Sequence, residues 1–277
     1  MAERNVNYGR ILSFSRRGSR LGEKYAGVMA EHGHEYVIDI PAGAAQTTIA
    51  ADAVIALPAQ FGRVAPLIVE IGPGSGEQSI SCAKAHPEWD FLAIEAWGPG
   101  VARCVNTAHR EQVTNFRVVE VDAVQALPVI FRTTPPAEFS AADAAAWRPN
   151  PRAREVWTFF PDPWRKARHH KRRIVNPIFA ATIAGVLETG GTWRLATDWD
   201  NYAWQMRDVI TDSPYFTNEY SGQNVDLADE GKYQGGFAPR FTGRVMTRFE
   251  SRGIAAGRTI HDIAAVRNSV PVKLPDA

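Results

Sequence analysis

The chain has 277 residues, with 31 Lys+Arg against 30 Asp+Glu, 45% hydrophobic and 22% charged residues. This composition excludes a collagen-like, coiled-coil or wholly disordered protein and suffices for one large α/β core. Two cysteines, Cys82 and Cys104, are too few for a disulfide framework or a four-thiolate zinc site, so a reducing compartment is expected.

The N-terminus lacks the apolar core of a signal peptide, and no apolar run reaches bilayer-spanning length. A cytoplasmic protein with no membrane partner is therefore expected. Residues 1–62 read as a basic N-terminal arm or extension, and 63–277 as the catalytic domain. Within residues 1–25, six bases (Arg4, Arg10, Arg16, Arg17, Arg20, Lys24) face two acids, a local charge of +4. The first sixty residues show no strong periodicity.

From residue 64 the pattern changes. Val64 to Ile71 is a short apolar run ending in glycines, as in a buried parallel strand. A helix over Glu77–His86 and a strand over Asp90–Glu95 follow. Then come a helix over Val101–Arg110 and a strand over Phe116–Val121. Residues 132–153, rich in Pro, Ala and charge, read as a loop or short irregular excursion. A fourth strand, Glu155–Phe160, stops at Pro161. A helix over Ile174–Leu187 is expected to close at Gly190-Gly191. A strand over Thr192–Thr197 and a helix over Tyr202–Ile210 complete the alternation. Strands alternating with helices imply an α/β fold with a doubly wound, mostly parallel sheet.

Glu70-Ile-Gly72-Pro-Gly74-Ser-Gly76-Glu77 lies where a nucleotide-binding loop belongs, between strand and helix. A dinucleotide fingerprint would need glycine at position 77, where this chain has Glu77. Glu70, just before the loop, also suits a pyrophosphate poorly. The pattern favours S-adenosylmethionine, which offers a cationic amino group, a sulfonium and a ribose diol. Glu95 can accept hydrogen bonds from that diol, and Asp122 can meet the adenine amino group. Each of the three acids ends a successive strand, the edge at which open α/β sheets bind ligands.

The most informative stretch is Phe159-Phe-Pro-Asp162-Pro-Trp164-Arg-Lys166-Ala-Arg168-His169-His170-Lys171-Arg172-Arg173. Residues 162–173 carry six bases against one acid, a charge of +5, which together with the +4 of residues 1–25 leaves −8 for the rest of the chain. Pro161 and Pro163 stiffen the backbone around Asp162, so a carboxylate can be held at a set distance from a cofactor. Trp164 offers a flat surface to a nucleobase, and the basic run can take the flanking phosphates. Metal binding by His169 and His170 is not expected, because consecutive side chains point apart in cationic surroundings.

Here the chain resembles the bacterial tRNA (guanine-N7-)-methyltransferases, enzymes of class I, Rossmann-like methyltransferase fold. The resemblance covers about residues 64 to 262. It rests on Phe-Phe-Pro-Asp-Pro-Trp with its basic cluster, on Glu70 to Glu77, Ile94-Glu95 with Pro99-Gly100-Val101, and Asp122. Thr197-Asp198-Trp199-x-x-Tyr202 and Thr247-Arg248-Phe249-Glu250-x-Arg252-Gly253 extend it. It implies that Glu70, Gly72, Gly74, Gly76, Glu95, Asp122 and Asp162 hold adenosylmethionine, with Asp162 catalytic. It implies tRNA contacts from Lys166, from Arg168, His169, His170, Lys171, Arg172 and Arg173, and from Asp198, Thr247, Arg248, Phe249 and Glu250. The implied reaction methylates N7 of a variable-loop guanosine in tRNA, without a metal. The chain departs from the family at Arg165 and Trp97, where His is common, at Arg248, where Lys is usual, and in its longer 132–153 stretch. Two other readings remain open at this point: methylation of an exocyclic base amine, and a non-catalytic RNA-binding protein on the same fold.

Overall fold

A computed structural model describes residues 11–14, 21–45 and 47–272. In chain order these form α1 (Glu23–Tyr36), α2 (Leu57–Phe61), β1 (Leu67–Ile71), α3 (Glu77–Ala85), β2 (Asp90–Glu95), α4 (Gly98–Glu111) and β3 (Phe116–Glu120). Next come α5 (Ala123–Ile130), α6 (Ala141–Ala146), β4 (Ala153–Phe159), a 3₁₀ turn (Ala167–Arg172), α7 (Pro177–Val186) and β5 (Leu187–Thr197). The chain ends with α8 (Asp200–Asp212), β6 (Phe216–Asn218), α9 (Arg248–Ala255) and β7 (His261–Arg267).

The strands make one sheet in the order β3-β2-β1-β4-β5-β7-β6. Neighbours from β3 to β5 run parallel, β7 is antiparallel to β5, and β6 is antiparallel to β7. All five residues of β1 are buried, as a central strand covered on both faces requires. Ile68, Phe91, Val118 and Trp157 point to one face, where they meet Tyr36 of α1, Ile80 of α3 and Val101 and Val105 of α4. Val69, Leu92, Val156 and Leu195 point to the other, against Leu127 of α5, Phe179 and Ile183 of α7 and Met206 of α8. From β1 the chain winds outward to β3, then crosses back to β4 on the opposite side of β1. The β1/β4 boundary is thus the topological switch point, where the strand ends open a crevice.

Four differences from the sequence reading have physical causes. Residues 23–57 belong to the same core: α1 packs on α4, and Ile38 and Leu57 are buried in the main cluster. No separate core begins at residue 63. The basic cluster Arg16–Arg20 lies outside the described residues. Second, α7 ends at Val186, and Gly190-Gly191 fall inside β5. A Cβ on Gly191 would stand 2.9 Å from the Arg154 carbonyl oxygen, so only glycine lets β5 approach β4 there. Third, the 132–153 excursion contains α6, capped by Ser140, whose hydroxyl accepts from the Asp143 amide at 3.2 Å. Asn150 closes the excursion, accepting from the Leu57 amide and donating to the carbonyls of Ile55 and Ile130. Fourth, β6 and β7 had no forecast as elements, because antiparallel insertion beside β5 has no local sequence period.

Candidate active site at the carboxyl edge of the sheet

The glycine loop leaves β1 with Gly72, Gly74 and Gly76 at φ of 71°, 61° and 76°, values that disfavour any side chain. Nothing lies within 4 Å of where a Cβ would stand on Gly72 or Gly74, so the loop borders open space. Beneath it the buried Glu70 carboxylate accepts from both the amide (3.1 Å) and the hydroxyl of Ser79 on α3. Glu95, at the end of β2, accepts from the Gly74 amide at 3.2 Å and the Trp97 amide at 3.0 Å, tying the loop to the next strand. Burial pushes both carboxyls up to about 7, against the hydrogen bonds that pull them down. Glu95 adds to the rise at Glu70, and Glu120 to that at Glu95. Asp122, also buried, caps α5 by accepting from the Val124 amide at 3.1 Å. The three acids therefore line one edge of three adjacent strands, where they would favour a cation.

Across the switch point, β4 delivers Pro161-Asp162-Pro163. Phe160 and Trp164, which flank it, have φ of 51° and 44°. Non-glycine residues pay energy to stay in that region and are held there by their surroundings. Phe160 is held by its amide, which donates to the Ala196 carbonyl at 2.8 Å. Asp162 itself is exposed.

Trp164 and two arginines of the basic run differ from expectation. The Arg172 guanidinium stacks on Trp164, 3.5 Å from the ring centroid, and covers a face assigned to a nucleobase. The indole nitrogen donates to the Ser13 carbonyl at 2.9 Å, while Arg172 donates to the carbonyls of Leu12 (2.8 Å) and Phe14 (3.2 Å). Together they fasten residues 11–14 beside the Asp162 loop. Arg173, expected at the RNA surface, is buried. It donates to the Pro163 carbonyl (2.9 Å), to Gln205 Oε1 (2.6 Å) and to Asn201 Oδ1 (2.9 Å). Its donors are spent on holding the proline loop to α8, and His170 packs against it at 3.1 Å. Lys166, Arg168 and Lys171 are exposed, and His169 meets the Trp164 ring edge-on.

The two distant motifs come together. A Cβ on Gly253 of α9 would stand 2.9 Å from Asp198 Oδ2, so α9 lies directly against the residue that follows β5. Asp198 does not cap α8; it pairs with Arg258 at 3.1 Å. Thr247 caps α9, accepting from the Glu250 amide at 3.3 Å, and Arg248 and Phe249 project into solvent. Glu250, expected to touch substrate, is instead fully buried between Arg240 (2.8 Å) and Arg244 (3.0 Å). Arg244 also pairs with Asp262 of β7. Glu250 is thus an anchor that fixes α9 to the sheet. Ser79, Arg240, Arg244 and Arg258 were missed in the sequence, because each works with a partner whose spacing has no local signature.

Among the described residues, one group gathers His and carboxylate ligand atoms within 4.8 Å of one another: His32, Glu35 and His109, between α1 and α4. The two imidazoles are stacked at 3.5 Å and 16°, which directs their lone pairs side by side rather than onto one point.

The edge thus joins a glycine loop, an acid at the end of each of three strands and an aspartate at the switch point, on the doubly wound sheet of class I methyltransferases. A family model described as "Putative methyltransferase" matches residues 64–138 and 148–263. A tRNA (guanine-N(7)-)-methyltransferase of Arthrobacter sp. (strain FB24) is 38% identical over 290 residues, covering 92% of this chain and 86% of the relative. That of Cutibacterium acnes is 41% identical over 253 residues, covering 91% and 82%. The corresponding protein of Edwardsiella ictaluri is 41% identical over 207 residues, covering 75% of each chain. A solved structure of the 16S rRNA methyltransferase KamB aligns with 13% identity and a TM-score of 0.47, over 76% of this chain and 92% of that one. The chain belongs to the tRNA (guanine-N(7)-)-methyltransferase family.

Proposed function

We propose that the protein transfers a methyl group from S-adenosylmethionine to N7 of a guanosine in tRNA. The observation that carries this reading is the position of Asp162, held between two fixed-φ prolines at the switch point beside the glycine loop. The cofactor suits the residues present: open space above Gly72 and Gly74 leaves room for it, and the side chains at the strand ends around it are hydrogen-bond-accepting carboxylates. Bound there, it supplies an electrophilic methyl group on a sulfonium. Glu95 accepts from a ribose diol and Asp122 from an adenine amino group. Glu70, behind the loop, fixes the start of α3 and contributes negative potential.

Guanine N7 already carries an in-plane lone pair, so no residue need remove a proton to make the nucleophile. The chain's task is to bring N7 within about 3–3.5 Å of the methyl carbon in line with the breaking bond. Positive charge grows on the purine during transfer, and Asp162 stabilises it while orienting the base through its N–H groups. Exposed Lys166, Arg168 and Lys171 take phosphates, with Arg248 and Phe249 offered from α9.

The test is incubation with radiolabelled adenosylmethionine and unmodified tRNA, followed by nucleoside mapping. Labelled N7-methylguanosine is the expected product. Labelled N6-methyladenosine, or failure to bind the cofactor, would overturn the reading.

A further inference from the structure

Several arginines among the described residues are paired with an acid, as Arg194 is with Glu155, Arg207 with Asp229 and Arg258 with Asp198. Two exposed arginines at the site edge are held differently. Arg103, on α4, lies over the Trp97 ring at 5.2 Å from its centroid, just beyond β2. Arg165, in the loop after Asp162, lies over Trp199 at 4.5 Å, just beyond β5. The ion pairs among the described residues include neither guanidinium.

Stacking on an indole orients a guanidinium and leaves its in-plane N–H groups facing outward, without neutralising its charge. A fork fixed in this way has lost its rotamer freedom before a ligand arrives, so less entropy is lost on binding. Its geometry matches two oxygens of a phosphate. The strands that carry the two stacks, β2 and β5, lie on either side of β1 and β4. At about 4.8 Å per strand the outer strands are separated by roughly 14 Å, about the reach of two to three nucleotides of extended backbone.

We propose that Arg103 on Trp97 and Arg165 on Trp199 are preorganised phosphate clamps that grip the RNA backbone on either side of the target base. This rests on the RNA-substrate reading above and adds where, and how rigidly, the strand is held. The fold supplies its own control: Arg154 stacks on Trp89 at 5.6 Å, but Trp89 precedes β2 and Arg154 opens β4, at the opposite edge of the sheet.

The experiment measures affinity for an unmodified tRNA transcript across a salt series. Arg103→Ala and Arg165→Ala should each weaken binding roughly tenfold and reduce the log–log salt slope by about 0.7 to 0.9, the value of one phosphate contact. Arg103→Lys and Arg165→Lys should restore the slope but only part of the affinity, because the charge returns without the stacked fork. Arg154→Ala should change neither. Wild-type affinity and slope in both alanine variants would overturn the clamps while leaving the RNA-substrate reading intact. Full recovery of affinity by lysine would overturn preorganisation. A wild-type protein with no affinity for tRNA would sink the functional reading and the clamps with it.

Discussion

Glu70 and Glu250 are both buried glutamates, yet their environments are opposite. Among the described residues Glu70 accepts from the amide and hydroxyl of Ser79, and burial raises its carboxyl to about 7. Glu250 lies between two guanidinium groups, and these hold its carboxyl below the ordinary range against the desolvation that would raise it. The difference divides the molecule. In the β1–β3 half Glu70 and Glu95 accept from hydroxyl and amide groups and, among the described residues, form no ion pair, which suits them to a cationic ligand; Asp90, at the other end of β2, pairs with Arg63. The half built from β5, β7 and α9 has already matched its acids with arginines, and uses them as fasteners.

Removing a fastener should have the largest effect. Glu250→Gln leaves Arg240 and Arg244 facing an amide and is expected to cost about 3–5 kcal/mol, read as a fall in Tm and in the denaturant midpoint. Glu70→Gln replaces a carboxyl that is already half protonated near neutrality and should cost far less. Equal losses from the two would erase the distinction.

Asp162→Asn comes next. It should reduce kcat on the order of 100-fold while Kd for adenosylmethionine and Tm stay near wild type. An undiminished rate would remove the electrostatic role given to Asp162.

The pH response tests the comparison directly. In the unfolded chain Glu70 and Glu95 release their protons near 4.5, and in the folded, cofactor-free protein near 7. Between those values the folded state binds more protons than the unfolded one, so stability must fall as pH rises. Thermal unfolding from about pH 5 to about pH 8 should show this decline, and Glu70→Gln should flatten it. Over the same window affinity for adenosylmethionine should rise, because its cationic group favours ionised carboxylates. A cofactor-free protein that gains stability through this range would contradict the assignment. The smallest effect belongs to Trp164→Phe, which keeps the ring but removes the donor to Ser13. It should cost about 1 kcal/mol and raise proteolytic cleavage within the first twenty residues.

Much of the sheet was legible because β1 to β4 are short apolar runs, each closed by Gly, Pro or an acid. β2 falls at Asp90–Glu95 in both readings. The order of the loops follows from that alternation, so the glycine loop and Asp162 could be placed at one edge. α1 was not legible: Gly27, Gly33 and four charged residues weaken its apolar pattern, and it is held through packing on α4. The roles of Arg173 and Glu250 were misjudged for a related reason. A basic or acidic residue in a motif looks the same in sequence whether it faces RNA or a partner within the fold 6 to 32 positions away. Asp198 and Thr247 had no spacing that joined them, and only the close approach of Gly253 brings their elements together.

Asn150 has a consequence for how this chain can vary in length. Its three bonds close the loop on Leu57, Ile55 and Ile130, so the core ends at its base and resumes after it. Residues 139–147, between the two stretches that match the family, lie outside that closure and include all of α6. The segment is an insertion port: it can lengthen, shorten or accept a foreign domain while β4 still enters the sheet in register and delivers Asp162 to the same place.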